Sequence, residues 1–255
     1  MIIDTHAHLN ADEFKEDFEE VLSRAKANDV QLILVIGTDE ESNKIAIQQA
    51  ETHEMVYATV GVHPGSCESS TTNHLKALTL NKKVVAIGEC GLDLYWKKEN
   101  IELQKKVFIE QIELAKKTKL PLVIHTRNSF EEAYQCLLPY QKEVKGVFHC
   151  FSSGVIDAKR AIDLGFYIGI DGPITYKKST DLIEIVQQID LKHILVETDS
   201  PYMTPTPYRG KRNEPGYVHL VVEKIAEIKG LTIEEVKRQT TQNAFDLFHL
   251  GGFKK

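Results

Sequence analysis

Ile194-Leu195-Val196-Glu197-Thr198-Asp199-Ser200-Pro201-Tyr202 opens as an apolar, partly β-branched run and ends in two carboxylates two residues apart. Continued as a strand, it points Glu197 and Asp199 to one side, which is either a buried sheet face or the inside of a barrel. Pro201 stops the strand. The loop that follows is punctuated by proline and delivers Arg209, Lys211 and Arg212 within four residues. Acid at a strand end, with cations on the adjoining loop, suits a metal-dependent reaction on an anion.

Working outward, the same strand-then-loop rhythm fills the chain. Short apolar strands are expected at 2–6, 32–36, 55–60, 84–87, 122–124, 147–149 and 167–170, ahead of 194–196. Helical spacing occupies 14–25, 39–50, 73–81, 101–118, 129–139, 156–164 and 182–189, with two closing helices near 214–228 and 232–249. No Gly/Ser linker, low-complexity block or internal repeat interrupts this alternation. Strands alternating with helices pair in parallel through right-handed crossovers. A doubly wound open sheet is the competitor, but eight βα units in 255 residues favour an α/β fold of the (β/α)8 TIM-barrel type, one domain over 1–255.

Composition narrows the function. A 42% hydrophobic content supplies a full core, and a net charge of −6 argues against general polyanion binding. Any nucleic-acid contact then needs a local basic patch or metal ions. Cys67, Cys90, Cys136 and Cys150 form no CxxC pair and read as reduced thiols of a cytoplasmic protein. The start, Met1-Ile2-Ile3-Asp4, has neither the charged nor the long apolar region of a signal peptide, and no apolar run reaches membrane-span length. A monomer is expected.

The unusual polar residues fall at strand ends. Asp4, His6 and His8 alternate as the first strand finishes, and two imidazoles at i and i+2 can reach one metal ion. His63 follows strand 3 in Gly61-Val62-His63-Pro64, and Glu89 follows strand 4 in Ile87-Gly88-Glu89-Cys90-Gly91. His125 ends strand 5 and His149 ends strand 6. Any one of these alone is more often a core or loop residue than a ligand, and a strand-end glutamate can be a solvated carboxylate. Together, ligand-type residues close strands 1, 4, 5, 6 and 8, which meet at one mouth of a barrel, where barrel enzymes place their chemistry. Cys90 and Cys150 have the opposite parity and are expected to face the surrounding helices. Tyr95 and Trp96, after strand 4, could stack a base or pack under their own loop.

Ile3-Asp4-Thr5-His6-Ala7-His8-Leu9, Gly61-Val62-His63-Pro64, Ile87-Gly88-Glu89-Cys90-Gly91-Leu92-Asp93, Ile124-His125, Phe148-His149-Cys150-Phe151, Glu197-Thr198-Asp199-Ser200-Pro201-Tyr202 and Arg209-Gly210-Lys211-Arg212-Asn213-Glu214-Pro215 resemble the TatD-type metal-dependent deoxyribonucleases of the amidohydrolase-like superfamily. The matches run in order from residue 3 to residue 215. HxH and strand-end histidines are shared with many amidohydrolases; the strand-4 glutamate and the Arg-Gly-Lys-x-Asn loop are the specific part.

The resemblance implies two divalent ions, of Mg, Mn or Zn type. His6, His8 and Asp199 would hold one, His125 and His149 the other, and Glu89 would bridge them where many superfamily relatives use a carboxylated lysine. Several members carry a second histidine after the His-Pro of strand 3, where this chain has Gly65.

The activity that the resemblance implies is 3′-5′ exonuclease-like hydrolysis of phosphodiesters in DNA, or of RNA. Two-metal sites activate water near neutral pH, with Asp199 as the expected general base and His63 at the phosphate or leaving oxygen. Arg127, Arg209, Lys211 and Arg212 are candidate phosphate contacts. Glu197 is a candidate anchor for a ligand or loop, or an inward residue paired with a core cation. Two alternatives stand beside this. One is an amidohydrolase or lactonase acting on a small carbonyl compound, which has no need of the basic loop. The other is a barrel that binds nucleic acid without turnover, which has no need of Asp199.

Overall fold

The computed structural model describes residues 1–250. Over them, strands β1 (Ile2–Ala7), β2 (Val30–Ile36), β3 (Val56–Val60), β4 (Val84–Asp93), β5 (Leu122–Arg127), β6 (Gly146–Phe148), β7 (Phe166–Ile170) and β8 (Ile194–Val196) pair side by side in chain order, every pair parallel. The gap between β8 and β1 is spanned by a parallel bridge from Ala7 to Ser200. His8 N donates to Ser200 O at 2.7 Å and Asp199 N donates to His6 O at 2.9 Å. The result is a (β/α)8 barrel.

Helices α1 (Phe18–Ala27), α2 (Glu40–Thr52), α3 (Leu75–Leu78), α4 (Ile101–Thr118), α5 (Phe130–Leu137), α6 (Val155–Asp163), α7 (Thr180–Gln188) and α8 (Val218–Lys229) ring the barrel. Asp39 caps α2 through a reciprocal pair with Ser42, the geometry its position before an apolar-periodic run predicts. Two departures from expectation are the largest. The helix near 73–81 shrinks to Leu75–Leu78, and β4 runs on to Asp93, because Cys90 to Asp93 stay in register with Ile124 to Arg127 of β5.

Two apolar layers follow from strand parity. Outward residues such as Ile33, Ile87, Ile124, Phe148 and Ile168 pack under the helices. Inward residues Ile3, Leu32, Leu34, Val85, Val123, Val147 and Leu195 fill the barrel, and α9 (Ile233–Phe248) closes it with Ala244, Leu247 and Phe248. Asn243 Nδ2 donates to Leu191 O and Ile194 O at 2.8 and 2.7 Å, and Thr241 Oγ1 donates to Met1 O at 3.0 Å. These bonds fix α9 across the N-terminal ends of β1 and β8. One end of the barrel is therefore plugged, and the polar strand ends gather at the other.

Helix α4 also serves that open end. Gln104 and Gln111, seven residues apart and hence on one face, are both buried. Gln111 accepts from Val62 N and donates to Val62 O at 2.8 and 3.0 Å, holding the loop that carries His63. Gln104 accepts from Asp93 N and donates to Lys97 O, at 2.8 and 2.6 Å, holding the loop that carries Tyr95 and Trp96.

Candidate active site

Five strand ends and the turn after β3 deliver their side chains to the open mouth. Glu89, 3% exposed, stands at the centre. Its Oε1 lies 2.9 Å from His125 Nδ1, 2.9 Å from His149 Nε2 and 3.5 Å from His63 Nε2. Its Oε2 lies 3.6 Å from both His6 Nε2 and His8 Nε2. Asp199 Oδ1 faces that second pair at 3.7 and 3.4 Å. Within each pair the ring nitrogens nearly touch: His6 Nε2 to His8 Nε2 is 3.2 Å and His125 Nδ1 to His149 Nε2 is 3.3 Å.

Nitrogens turned toward one another around shared carboxylates form the mixed donor set of a divalent cation. The groups His6–His8–Glu89, His6–His149–Asp199 and His63–Glu89–His125 each bring their donor atoms within 4.8 Å of one another. The residues therefore fit a metal.

The electrostatics match this crowding. Burial raises the Glu89 carboxyl, but His149, His63 and the hydrogen bonds from His125 and His149 reverse this and hold it well below the usual carboxylate range. Burial opposes the charged form of His149, and Glu89 and Glu197 overturn that to raise it well above an ordinary imidazole. Burial, only partly offset by Glu89, lowers His63 to about 3, so its ring is neutral. His63 Nδ1 accepts from Gly65 N at 3.0 Å, which leaves the proton on Nε2, facing Glu89.

A further set of residues positions these. Asp4 is fully buried and accepts from Thr198 N and Oγ1 at 2.9 and 2.6 Å, tying the start of the Asp199 turn to β1. Burial pushes its carboxyl up to about 8. Asn213 Nδ2 donates to Thr198 O and Tyr202 O at 2.8 and 2.6 Å, clasping the same turn from the other side. Asp199 itself adopts φ 54°. It thus departs from the strand pattern beyond the end of β8 at Val196, whereas Glu197 N still donates to Ile170 O at 3.1 Å and extends the β7–β8 ladder. Glu197 is fully buried with no lysine or arginine partner among the described residues. Its Oε1 accepts from Cys150 N and stands 3.7 Å from His149 Nδ1.

The candidate phosphate contacts divide. Arg127, at the end of β5, is exposed and stacks over Tyr95 and Trp96, 4.4 and 5.6 Å from their ring centroids. Arg209 is exposed and lies over Tyr176 at 4.1 Å, and Lys211 is exposed beside Tyr208. Arg212 is different. Its guanidinium pairs with both oxygens of Asp17 at 2.8 and 2.6 Å, donates to Glu13 O and covers Phe14. It is a clamp between the basic loop and the approach to α1, which corrects its reading as a phosphate contact. Cys150 is a second correction. With φ 43° its thiol turns into the mouth, beside Asp171 and Asp199, and not toward the helices.

Two residues went unassigned in the sequence. Asp93 Oδ1 accepts from Tyr95 N and Trp96 N at 2.8 and 2.9 Å, while Oδ2 lies 3.4 Å from His125 Nε2. Its parity with Glu89 was the available signal. Asp171 directly follows β7, so it is one more acid at a strand end.

Two clefts open on the centre. One, of about 340 Å³, is lined by His8, Asn10, His63, Glu89 and Tyr202; the other, of about 270 Å³, by Arg127, Cys150, Phe151, Asp171 and Met203. His125, His149 and Asp199 border both.

The family model for TatD related DNase matches residues 3–249. The chain belongs to the TatD family of metal-dependent hydrolases. It is 43% identical to an uncharacterized metal-dependent hydrolase, YabD, of Bacillus subtilis over 254 residues, covering 98% of this chain and 100% of the relative. Among solved structures, the TatD homologue YJJV of Escherichia coli superposes with a TM-score of 0.93 at 30% identity, covering 98% of each chain. A TatD family hydrolase of Entamoeba histolytica gives 0.84 at 26% identity, covering 97% of each. Among the described residues of this TatD protein, no helix is long and apolar enough to cross a membrane.

Proposed function

We propose that this TatD-family hydrolase is a deoxyribonuclease that shortens single strands from the 3′ end, using two divalent ions. The observation that carries the two-ion reading is the division of Glu89, one oxygen toward His125 and His149, the other toward His6 and His8. In this reading His6, His8 and Asp199 hold one ion, His125 and His149 the other, and Glu89 serves both. Ions so held supply Lewis acidity and a hydrolytic nucleophile near neutral pH.

The chain's own residues do the rest. Asp199, in contact range of His6 and His8, takes the proton of the attacking water as the new P–O bond forms. The neutral His63 ring, oriented by Gly65 N–H, directs its Nε2 proton at the phosphate or at the departing 3′ oxygen as the old P–O bond breaks. Glu197 and Asp93 stand behind His149 and His125, 3.7 and 3.4 Å from their outer nitrogens, where their negative charge favours a proton on the outer side of each ring.

Support for a nucleic-acid substrate comes from the rim. Arg127 offers a fork to phosphate while Tyr95 and Trp96, half or more exposed, offer ring faces to a base. Arg209 and Lys211 extend the cationic rim. With a net charge of −6, anion affinity is confined to this local patch and the ions. All these groups come from one chain, so the reading takes the monomer as the working unit. Four unpaired cysteines fit the reducing cytoplasm.

The test is a time course on 3′-labelled and 5′-labelled single-stranded DNA. Metal-stripped protein is resupplied with Mg, Mn or Zn in turn, with Glu89→Ala in parallel. Stepwise, metal-dependent loss of the 3′ label, abolished in the variant, is the expected result. Intact DNA under every metal, from protein with ions bound, would end the nuclease reading and turn attention to carbonyl substrates.

A further inference from the structure

We propose a third cation site beside the two-ion centre, formed by Cys150, Asp171 and Asp199. It rests on the two-ion reading for its neighbour, but not on the identity of the substrate. The three donor atoms lie within 4.8 Å of one another, at the wall of the 270 Å³ cleft. Asp171 is 1% exposed, and its Oδ2 has no hydrogen-bond partner. A buried carboxylate oxygen left without a donor is costly unless a cation or a proton answers it.

No cation of the chain does so. Among the described residues neither lysine nor arginine pairs with Asp171, Glu197 or Asp199, although Asp171 and Glu197 are almost wholly buried. The mouth gathers Glu89, Asp93, Asp171, Glu197 and Asp199, five carboxylates in all. Asp93 and Glu197 each face a histidine, and Glu89 and Asp199 face the histidine pairs. Asp171 alone among the five has no such partner. The Cys150 thiol lies with Asp171 and Asp199, turned inward where strand parity would have turned it out.

The donor chemistry selects the ion. One thiolate with two carboxylates suits Zn or Co and is a poor set for Mg, which prefers oxygen alone. Three protein donors leave a coordination position free, the pattern of zinc sites that admit a reactant. That position opens on the cleft lined by Arg127, Phe151 and Met203, so the ion would meet an oxygen of whatever occupies it.

Cobalt provides the test, because thiolate ligation gives an intense near-ultraviolet charge-transfer band that nitrogen and oxygen ligands do not. Metal-free full-length chain is titrated with Co, following that band and the ions bound per chain. Expected are three ions and a band that grows with one of them. Cys150→Ser abolishes the band and one ion, Asp171→Asn lowers the count by one, and both retain the other two ions and native circular dichroism. Two ions with no band in the unaltered chain would overturn the proposal and leave Asp171 answered by a proton. So would a band that survives Cys150→Ser. A band with a single ion would instead uphold this site and refute the two-ion centre.

To keep the conclusion independent of how the variants fold, the unaltered chain is also alkylated with and without Zn and mapped by peptide. Cys150 is expected to lose reactivity when Zn is bound. Equal labelling in both conditions counts against the site.

Discussion

Asp93 Oδ2 stands 3.4 Å from Nε2 of His125, on the side of the ring away from Glu89. Burial raises the Asp93 carboxyl, yet His125 and the N–H groups of Trp96 and Tyr95 bring it down to about 2, so it is charged at neutral pH. A carboxylate behind a metal-facing imidazole fixes its tautomer and raises its basicity. Asp93→Asn keeps the size and removes the charge. It should weaken metal binding by about 10- to 100-fold, measured by competition with a chelator dye. Unchanged affinity would show that the contact is inert.

Asp93 also joins the metal centre to the aromatic rim, and Trp96 is the chain's single tryptophan. Its emission therefore reports on one place. Single-stranded oligonucleotide added to metal-free protein, which cannot cleave it, should quench that emission. Tyr95→Ala and Arg127→Ala should each weaken binding, with about 1–3 kcal/mol expected where a stacked base is lost. An emission unchanged by saturating oligonucleotide would remove the rim from the substrate path.

The clamp of Arg212 on Asp17 predicts a stability effect with a defined sign. Hydrogen bonding from Arg212, opposed by burial and joined by Arg24, lowers Asp17 from 3.8 to about 2. A depressed acid contributes stability that is present above its unfolded pKa and is lost as pH falls through the folded one. Asp17→Asn should therefore lower Tm at pH 7, and the difference should close between pH ~4 and ~2. Both partners are about a third exposed, so the effect at neutral pH is ~1 kcal/mol or less. A gap that persists at the acid end would show packing, not charge, to be the cause.

Gly169 lies directly beneath Glu197. A Cβ there would stand 2.7 and 2.8 Å from the two carboxylate oxygens, too close for the buried glutamate to keep its place. Gly169→Ala should destabilise the fold by about 1–3 kcal/mol and disturb metal binding through His149. Combined with Glu197→Ala, the loss should be less than additive, because the clash and the anchor are the same contact. Additive losses in a double-mutant cycle would disprove the coupling.

The barrel and most of the histidine and carboxylate cluster were legible because both depend on local pattern. Apolar runs such as 194–196 mark strands, and a polar residue directly after such a run must emerge at one end of a parallel barrel. His125 after Ile124 and His149 after Phe148 are of this kind. What escaped depends on partners distant in the chain. Arg212 looks like its neighbours Arg209 and Lys211, and only the approach of Asp17, almost two hundred residues earlier, distinguishes it. Gln104 and Gln111 look like surface residues of an amphipathic helix until the loops they hold are seen. Cys150 escaped because a left-handed backbone breaks the parity on which its reading relied.

Helix α9 has a consequence for the order in which the molecule can be completed. The barrel's inward residues, from Ile3 on β1 to Leu195 on β8, meet water at their lower end until Ala244, Leu247 and Phe248 arrive. Those residues follow every proposed metal ligand in the chain, the last of which is Asp199, and so are synthesised after them all. A nascent chain thus possesses all the groups of its reaction centre before it possesses the floor that makes them rigid. A stop before Ile233 would yield a vessel open at both ends, with its full ligand set and no dry interior to support it.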